Sequence, residues 1–554
     1  MPMQTKPRLS LVVVSTAFLI LAVSVAPSRL QAAIRVVSYN TLDNPTTSAE
    51  NTDFQTIMEA IGIKSVNGVA KRVDVIAVQE QTGISSTSGT AVDMADQLNA
   101  LYGVTSYTSM LTNNGFDRTG IVYDTSTLSL LGTAQTSGGP NGRFTLRAQF
   151  RPVGYTSPDA DLYVYSAHLK ADDGPSDIAS RAAASNVIVA NADALGADAN
   201  VIFAGDFNYG DSFEAGYANL QGGNGNTSAS DPLQLASWPS LFEAEHMTQS
   251  TRNVSFGGGA GSGMDDRFDL QIISDDLLDG EGLSYIGPTS TGLESLDHSY
   301  QAFGNDGTSY NQAITTPSIG RSQPANVLQA LHDFSDHLPV VADYQLPAWM
   351  DVVVGAVPTE VDLGEAVSVD VMIENIANAL NVNGADELDY SITVSGDLLI
   401  GGDPMGEILG LDPATGGAQM EQIELDTSTL GAGKSGTITV TSSSQAVEAG
   451  SFSMPISFSV VEPVPTADFD DDGDVDNLDL ISWDLGVQFG LLPLDDFGDA
   501  DFDADADLAD LMIWQQQYTG PLPAATSVPE PSSVGLVSLV GLITLGKSRI
   551  RTAG

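Results

Sequence analysis

The stretch Val201-Ile202-Phe203-Ala204-Gly205-Asp206-Phe207-Asn208 joins an apolar run to a glycine and two polar side chains. The apolar run is typical of a buried β-strand. Side chains two residues apart on a strand point to the same side, so Asp206 and Asn208 share a face, and Gly205 permits close approach of another backbone. An acceptor and an amide held together at a strand end can grip a phosphate oxygen and its attacking water. The stretch therefore predicts a sheet with a phosphate-binding edge.

Further short polar segments occur along the N-terminal part of the chain, and most of them follow an apolar run. They are Ser38-Tyr39-Asn40, Val78-Gln79-Glu80, Ser166-Ala167-His168 and Ser335-Asp336-His337. A carboxylate and an amide on neighbouring strand ends can hold a hard divalent cation, while histidines and further aspartates can move protons and orient water. Together the segments predict metal-assisted cleavage of a phosphate ester.

Each of these residues also has an ordinary explanation when it is taken alone. Asn40 would then be a turn residue and His168 a satisfied structural group, whereas a buried strand-end carboxylate such as Glu80 needs a cation or hydrogen bonds. Asp269 lies in another apolar run and can fix the tautomer of an imidazole. The remaining histidines belong to no polar segment and are predicted to be surface or structural groups: His246, His298 and His332.

In this order, the segments resemble the endonuclease/exonuclease/phosphatase superfamily with its DNase I-like fold, from about Ile34 to Tyr344. The resemblance implies an α/β (α+β) four-layer sandwich, in which two packed β-sheets are flanked by helices and the site lies at one end. It implies the metal ligands Asn40, Glu80 and Asp336, the catalytic residues His168, Asp206, Asn208, Asp269 and His337, and a phosphate contact from Arg143.

The resemblance also implies how the reaction would proceed. Mg2+ or Mn2+ at the metal ligands would neutralise the phosphate and stabilise the charge that builds on its oxygens. His337, oriented by Asp269, would deprotonate or orient the attacking water, with Asp206 as the alternative base. His168 and Asn208 would support the phosphoryl oxygens, and His168 would also be able to protonate the leaving group.

Charge limits the choice of substrate. The 554-residue chain has a formal net charge of -51, and Lys434 is the only Lys or Arg between Arg321 and Lys547. An acidic surface repels nucleic acid and attracts divalent cations. A few arginines in one groove would nevertheless suffice for a nuclease, and the sequence offers Arg118, Arg143, Arg147 and Arg267.

The site chemistry fits several substrates, because one fold can serve many functions. We slightly favour an extracellular nuclease over two alternatives, a sphingomyelinase-like phospholipid phosphoesterase and a phosphoesterase of small organic phosphates. The alternative from another class is a catalytically inactive surface protein for binding or adhesion. The chain contains no cysteine, which excludes disulfides, thiolate catalysis and a Cys-ligated metal.

The N-terminus has the layout of a secretory signal peptide over residues 1–33. Lys6 and Arg8 precede the apolar run Leu9 to Val25, and small residues follow at Ala32 and Ala33. An uncleaved N-terminal anchor is the alternative. We expect the mature chain to begin near Ile34.

The C-terminus over residues 526–554 resembles a PEP-CTERM sorting signal of Gram-negative bacteria. Val528-Pro529-Glu530-Pro531 precedes the apolar run Val534 to Leu545 and a basic tail. The resemblance implies an exosortase-type processing enzyme, transient membrane insertion of the short helix, and a location in the periplasm, on the cell surface or outside the cell. A plain C-terminal anchor is the alternative.

Between these ends we predict three domains. Residues 34–347 form the catalytic domain, and residues 348–462, with short Val-, Ile- and Thr-rich runs, form an Ig-like β-sandwich. Residues 463–522 form a small helical calcium-binding module that follows a proline-rich linker.

The predicted calcium-binding module contains a duplicated acidic pattern. Asp468, Asp470, Asp472, Gly473, Asp476 and Asp479 fall at positions one, three, five, six, nine and twelve of a calcium loop. The second copy consists of Asp499, Asp501, Asp503, Asp507 and Asp510, with Ala504 where the turn glycine is expected. The pair resembles a type I dockerin, which implies bound Ca2+ and a cohesin-like partner. A calcium-rigidified spacer is the alternative.

Overall fold

The computed structural model describes residues 33–520 apart from short gaps. The gaps are residues 67–68, 82–89, 113–117, 138–142, 223–224, 236, 239, 256–257, 289–296, 378–383, 403, 409–416, 471 and 491–497. The predicted signal peptide up to residue 32 and the predicted sorting signal therefore lie outside the described residues. Within the described part of the chain, no helix has both the length and the apolar character that a bilayer crossing requires.

The first part of the chain alternates strands with helices. Its strands are β1 (Ile34–Asn40), β2 (Ser65–Val66), β3 (Val69–Ala70), β4 (Val75–Gln81), β5 (Tyr107–Leu111), β6 (Arg118–Asp124), β7 (Leu128–Ser137), β8 (Phe144–Pro152), β9 (Leu162–His168), β10 (Asn200–Asp206), β11 (Ala229–Ser230), β12 (Asp269–Ser274), β13 (Gln301–Ala302) and β14 (Val340–Tyr344). Its helices are α1 (Ser48–Ile63), α2 (Thr90–Tyr102), α3 (Pro175–Asp193), α4 (Ala215–Gln221) and α5 (Ala325–Phe334).

Two six-stranded sheets are built from these strands. Their orders are β13-β14-β1-β4-β6-β5 and β11-β12-β10-β9-β8-β7. In the first sheet β1 runs parallel to β4, and in the second β9 runs parallel to β10. Parallel strands end at the same edge of a sheet. The side chains at the carboxyl ends of β1 and β4 are therefore neighbours, and so are those of β9 and β10.

Successive residues of the central strands are buried on opposite sides. Val36 and Ile202 belong to the core between the two sheets, whereas Val37 and Phe203 belong to the core that includes residues of α1, α2, α3 and α5. This alternation follows from the two-residue period of a strand. Helices therefore cover the outer faces of the two packed sheets, which confirms the predicted four-layer α/β sandwich.

In the described residues that follow, as far as residue 461, the regular elements are strands. They are β15 (Met350–Val354), β16 (Glu360–Asp362), β17 (Ser368–Asn375), β18 (Leu388–Gly396), β19 (Leu398–Ile400), β20 (Met405–Ile408), β21 (Ala418–Leu425), β22 (Gly431–Ser442) and β23 (Ser451–Val461). One sheet has the order β15-β17-β21-β19, and another contains β23-β22-β18-β20. Alternating burial along β17 shows that its sheet has one buried face.

The chain divides into two compact units, and the strand-rich part belongs mainly to the first. This unit contains residues up to 359 together with 366–427 and 433–459. Inside it, the ring of Tyr155 lies 5.5 Å from that of Trp349, and the Tyr155 hydroxyl donates to the carbonyl of Pro347 at 2.6 Å. The segment that leads into β15 therefore packs directly on the four-layer sandwich.

The second unit contains residues 360–365, 428–432 and 460 onward. Its helices are α6 (Asn477–Phe489) and α7 (Leu508–Gln517). Trp483 Nε1 donates to the carbonyl of Asp507, and Trp514 Nε1 donates to the carbonyl of Asp476, both at 2.8 Å. Each repeat thus contacts the other through an equivalent tryptophan, so the duplicated sequence produces a duplicated structure.

Candidate active site at the strand ends

The polar segments meet where the central strands end. Strand register places Asp206 of β10 opposite His168 of β9 on one side and opposite Asp269 of β12 on the other. Gly205 is required for this arrangement, because a Cβ atom there would lie 2.2 Å from the carbonyl oxygen of Ala167. The glycine therefore keeps the parallel pair β9–β10 close.

Glu80 reaches this edge through an irregularity of its strand. The register between β4 and β6 shifts between Val78 and Gln81, as in a β-bulge, and Glu80 has a φ of +53°. A left-handed backbone at a residue other than glycine is costly and is common where function requires a particular side-chain direction. The bulge turns the Glu80 carboxylate toward the ends of the neighbouring strands.

We call Asn40, Glu80, His168 and Asp206 the strand-end cluster. The ligand atoms of Glu80, His168 and Asp206 all lie within 4.8 Å of one another, so these three residues could hold a metal ion. His168 Nε2 lies 3.5 Å from Asp206 Oδ2 and 3.9 Å from Glu80 Oε1. Asn40 Nδ2 donates to Glu80 Oε1 at 3.1 Å and to Asp206 Oδ2 at 3.0 Å.

Both carboxylates of the strand-end cluster have raised pKa values. Burial raises the pKa of Glu80 to about 7, and the charges of Asp206 and Asp336 add to that rise. Burial also raises the pKa of Asp206 to about 6, where Asp269 adds to it and His337 opposes it. Gathering negative charges in a site of low exposure costs free energy unless protons or cations compensate them. The cluster is therefore a natural binding place for a cation.

His337 is held by Asp269. His337 Nδ1 lies 2.7 Å from Asp269 Oδ2, and Nε2 lies 3.8 Å from Asp206 Oδ2. Burial alone would lower the pKa of His337, but the carboxylates of Asp269, Asp336 and Asp206 outweigh it and raise that pKa well above its ordinary value. The surrounding carboxylates therefore favour the charged form of the His337 ring.

His168 has the opposite electrostatic environment. Burial lowers its pKa well below the ordinary value, and the charges of Arg143 and His337 lower it further. Its Nδ1 is buried without a hydrogen-bond partner among the described residues. The two catalytic histidines predicted from sequence thus lie at one site, with pKa values shifted in opposite directions.

Asp336 lies beside these groups but makes its contacts with other residues. Its Oδ2 accepts hydrogen bonds from Gln249 Nε2 at 3.2 Å and from the backbone N–H of Ala260 at 2.6 Å. It does not belong to the group of Glu80, His168 and Asp206 that could share a metal. Its role as a metal ligand stays a prediction.

Gln249 is a site residue that the sequence reasoning missed. Its amide nitrogen lies 2.6 Å from His337 Nε2 and also bonds Asp336, so the side chain bridges the two residues. Gln249 lies in irregular chain between α4 and β12, away from any apolar run. No signal of the kind used for the other residues marked it.

The site opens into a cleft of about 390 Å3. Arg143, Asn208, Gln249 and Asp336 line it together with Glu80, His168, Asp206 and His337. Arg143 donates to the carbonyl of Leu169, and Asn208 Nδ2 donates to the same carbonyl at 3.3 Å. The structure therefore brings the predicted phosphate contact Arg143 into the cleft.

Two of the arginines considered for a substrate groove have other contacts. Arg267 is 1% exposed, forms an ion pair with Asp231 at 2.6 Å and stacks near the ring of Trp238, so its prediction as a groove residue was wrong. Arg147 NH1 donates to Asn191 at 3.0 Å. Both arginines stabilise the fold of the second sheet and its surroundings.

The three histidines outside the polar segments lie away from the cleft lining. His246 lies 3.5 Å from Glu245 and His332 lies 2.7 Å from Asp333. The hydroxyl of Tyr285 lies 2.9 Å from His298 Nδ1. These local contacts agree with the predicted surface or structural roles.

Several solved structures resemble the chain. D. rerio TDP2 complexed with single strand DNA product is 17% identical with a TM-score of 0.35, and the match covers 57% of this chain and 100% of that chain. An endonuclease/exonuclease/phosphatase from Beutenbergia cavernae is 12% identical with a TM-score of 0.34, over 77% and 100%. The mannosyl-6-phosphatase Bt3783 of Bacteroides thetaiotaomicron is 13% identical with a TM-score of 0.33, over 56% and 99%. No protein-family model matches the chain, and no curated protein matches it.

Proposed function

We propose that the chain is a divalent-metal-dependent phosphoesterase. The observation that carries the proposal is the convergence of Glu80, His168 and Asp206 within 4.8 Å, beside an imidazole held by Asp269 at 2.7 Å. Distant parts of the sequence contribute these side chains, and each is costly to bury alone. Such a concentration of perturbed titratable groups in one cleft is typical of an active site.

The residues present suit a hard divalent cation. Glu80 and Asp206 supply carboxylate oxygens, and the raised pKa of each carboxyl reflects uncompensated negative charge. Asn40 donates from its amide nitrogen to both carboxylates, and a half-turn of the amide would offer its oxygen instead. Bound Mg2+ or Mn2+ would supply Lewis-acid stabilisation of the phosphoryl oxygens.

Asp206 is the residue best placed to accept a proton from the attacking water. Its Oδ2 lies 3.5 Å from His168 Nε2 and 3.8 Å from His337 Nε2, between the two imidazoles, and a carboxylate in this position can take up a proton. His337 lies 3.8 Å from Asp206, is fixed by Asp269 at 2.7 Å, and has a pKa raised by the surrounding carboxylates. It would therefore orient the water and stabilise negative charge on the phosphoryl group, and would be a poorer base than Asp206.

The opposite side of the cleft would bind the phosphoryl oxygens. His168 is neutral because its pKa is lowered, so its ring donates a hydrogen bond more readily than a proton. Arg143 and the amide of Asn208 line the same cleft. A guanidinium and an amide are suited to an oxyanion that gains charge during the reaction.

The finer parts of the function rest on sequence. We propose that the enzyme is exported by its N-terminal signal peptide and processed by an exosortase-type enzyme at its C-terminus. The aspartate loops of residues 468–479 and 499–510 would bind Ca2+. The module that contains them would either bind a cohesin-like partner or act as a spacer. A phosphodiester of nucleic acid is the substrate that the sequence favours, with lipid and small organic phosphates as alternatives.

Hydrolysis of bis-(p-nitrophenyl) phosphate by the full chain with Mg2+ or Mn2+ tests the proposed activity. We expect turnover that a chelator abolishes and that His337→Ala lowers about 10^3-fold, while Asp269→Asn lowers it about 10^2-fold because the ring keeps its place less firmly. His332→Ala is the matched control and should behave as the unmodified chain. Absence of turnover with any divalent metal would instead support the inactive binding protein.

A further inference from the structure

The basic side chains of residues 33–346 are mostly engaged in internal ion pairs. The pairs are Arg35–Asp343, Lys71–Asp74, Arg72–Asp124, Arg151–Asp161, Lys170–Asp172, Arg181–Glu214, Arg267–Asp231 and Arg321–Asp306. Arg35, Arg181 and Arg267 are also buried. A protein that binds a polynucleotide needs several exposed Lys and Arg side chains for its phosphates. These residues are already used to hold the fold together.

Among the described residues that line the cleft, Arg143 is the one Lys or Arg. Its lining also includes Asp172 and Asp173. We call Asp172 and Asp173 the acidic rim.

The size of the cleft is that of a small-molecule site. Its volume of about 390 Å3 falls at the lower end of the range of ~300–1,000 Å3 typical of such pockets. One lining oxygen is also available to accept a hydrogen bond from a ligand, because Asp336 Oδ1 is buried without a hydrogen-bond partner among the described residues. One phosphoryl group and a compact alcohol would fill this space.

We propose that the cleft takes a single phosphate ester of a small polyhydroxy alcohol, such as a sugar or glycerol phosphate, and excludes polynucleotides; this rests on the proposed phosphoesterase function. Arg143 and the strand-end cluster receive the one phosphoryl group. The acidic rim accepts hydrogen bonds from the hydroxyl groups of the alcohol, since carboxylates are strong acceptors. The same rim repels the further phosphates that every polynucleotide carries.

The reaction is a simple hydrolysis. The oxygen of water forms a new bond to phosphorus as the bond from phosphorus to the alcohol oxygen breaks. The water loses one proton to Asp206, the departing alkoxide takes one proton from the solvent, and Asp206 then returns its proton to the solvent, so the products are the free polyol and inorganic phosphate. No oxidant, reductant or second substrate is needed.

A comparison of substrates on the full chain with Mn2+ tests this inference. We expect kcat/KM for glycerol 3-phosphate or glucose 6-phosphate to exceed that for plasmid DNA or RNA, per phosphate, at least 100-fold. Bis-(p-nitrophenyl) phosphate serves as the general activity control. Efficient degradation of DNA or RNA would overturn the inference alone, whereas no turnover of any substrate, including the aryl diester, would overturn the phosphoesterase function itself.

The double variant Asp172→Asn/Asp173→Asn tests the acidic rim. We expect KM for the polyol phosphate to rise about tenfold and cleavage of DNA to increase, because the change removes repulsion and releases Lys170 from Asp172, 2.7 Å away. Asp198→Asn, an exposed aspartate outside the cleft lining, is the matched control. A variant with unchanged KM and unchanged DNA cleavage would contradict the role of the rim.

The salt dependence of kcat/KM, measured on the unmodified chain, is an independent test. It can be carried out even if the double variant does not fold. Release of counterions makes polynucleotide binding fall about 10^3–10^5-fold between 50 and 200 mM salt for proteins that contact many phosphates. We expect less than a twofold change in kcat/KM for the polyol phosphate over that range. A steep fall with salt would show a site built for polyanions.

Discussion

The strand-end cluster and the two aspartate loops both contain several carboxylates, but the carboxylates have different surroundings in the two regions. In the cluster, Asp206 is 2% exposed and faces histidines and another carboxylate. In the first loop, Asp468 accepts hydrogen bonds from the backbone N–H groups of Asp472 and Gly473 at 3.2 and 3.1 Å. Carboxylates satisfied by their own loop support local structure, whereas buried carboxylates with raised pKa values beside imidazoles are suited to chemistry.

The most direct test of this contrast is to remove one carboxylate from the strand-end cluster and one from an aspartate loop. Glu80→Gln keeps the shape of the side chain but removes a charge from the metal site, so we expect turnover of bis-(p-nitrophenyl) phosphate to fall about 10^3-fold. Asp470→Asn is the matched change in the first loop and should leave turnover unaltered. Equal losses in the two variants would remove the distinction between the regions.

Calcium should stabilise the module that contains the aspartate loops. Asp479 accepts from the backbone N–H groups of Phe469 and Asp476 at 2.6 and 2.7 Å and occupies position twelve of the first loop. Ca2+ at about 100 times its Kd should stabilise the module by about 2.7 kcal/mol, and Asp479→Asn should remove most of this gain. Hydrogen exchange of the α6 amides in the full chain measures it, with Asp484→Asn as the control. Calcium-independent exchange in the unmodified chain would contradict the calcium loops.

The strand-end cluster should instead show a pH-dependent affinity for its cation. The pKa of Glu80 is raised to about 7, so the carboxyl is protonated below that pH and a cation must displace the proton. Affinity for Mn2+ should therefore fall as the pH drops below about 7, by up to tenfold per pH unit, and should level off above it. Mn2+ titrations followed by electron paramagnetic resonance at pH 6, 7 and 8 measure this. Constant affinity over that range would place the cation elsewhere.

The smallest expected effect distinguishes the two loops from each other. Gly473 has a φ of +90° and Ala504, at the equivalent position, has a φ of +73°. A side chain in the left-handed region costs about 1 kcal/mol relative to glycine. Ala504→Gly should stabilise the second loop by about that amount and Gly473→Ala should destabilise the first, as measured by exchange of the α7 and α6 amides. A destabilising Ala504→Gly would show that the alanine methyl group makes a useful contact.

Much of the site was predictable because its residues stand at the ends of apolar runs. Asn40, His168 and Asp206 end β1, β9 and β10, as the sequence suggested, and Asp269 contacts His337 as expected for a residue that orients an imidazole. Strand period and parallel pairing bring such side chains to one edge. The four-layer fold follows from the same alternation of strands and helices.

What the sequence failed to predict depends on contacts between distant residues. Arg267 looked available for substrate, but Asp231 binds it from another part of the chain. Gln249 reaches His337 from irregular chain that carries no periodic pattern. The opposite pKa shifts of His168 and His337 arise from which charges surround each ring, and this is set only when the two sheets pack.

Anomalous diffraction from a crystal of the full chain soaked in Mn2+ tests the central claim most directly. We predict a manganese peak bound by the side chains of Glu80 and Asp206, within reach of His168, whether or not the aspartate loops also hold metal. A crystal with manganese in the loops and none at Glu80 and Asp206 would contradict the assignment of the strand-end cluster as a metal-dependent catalytic site.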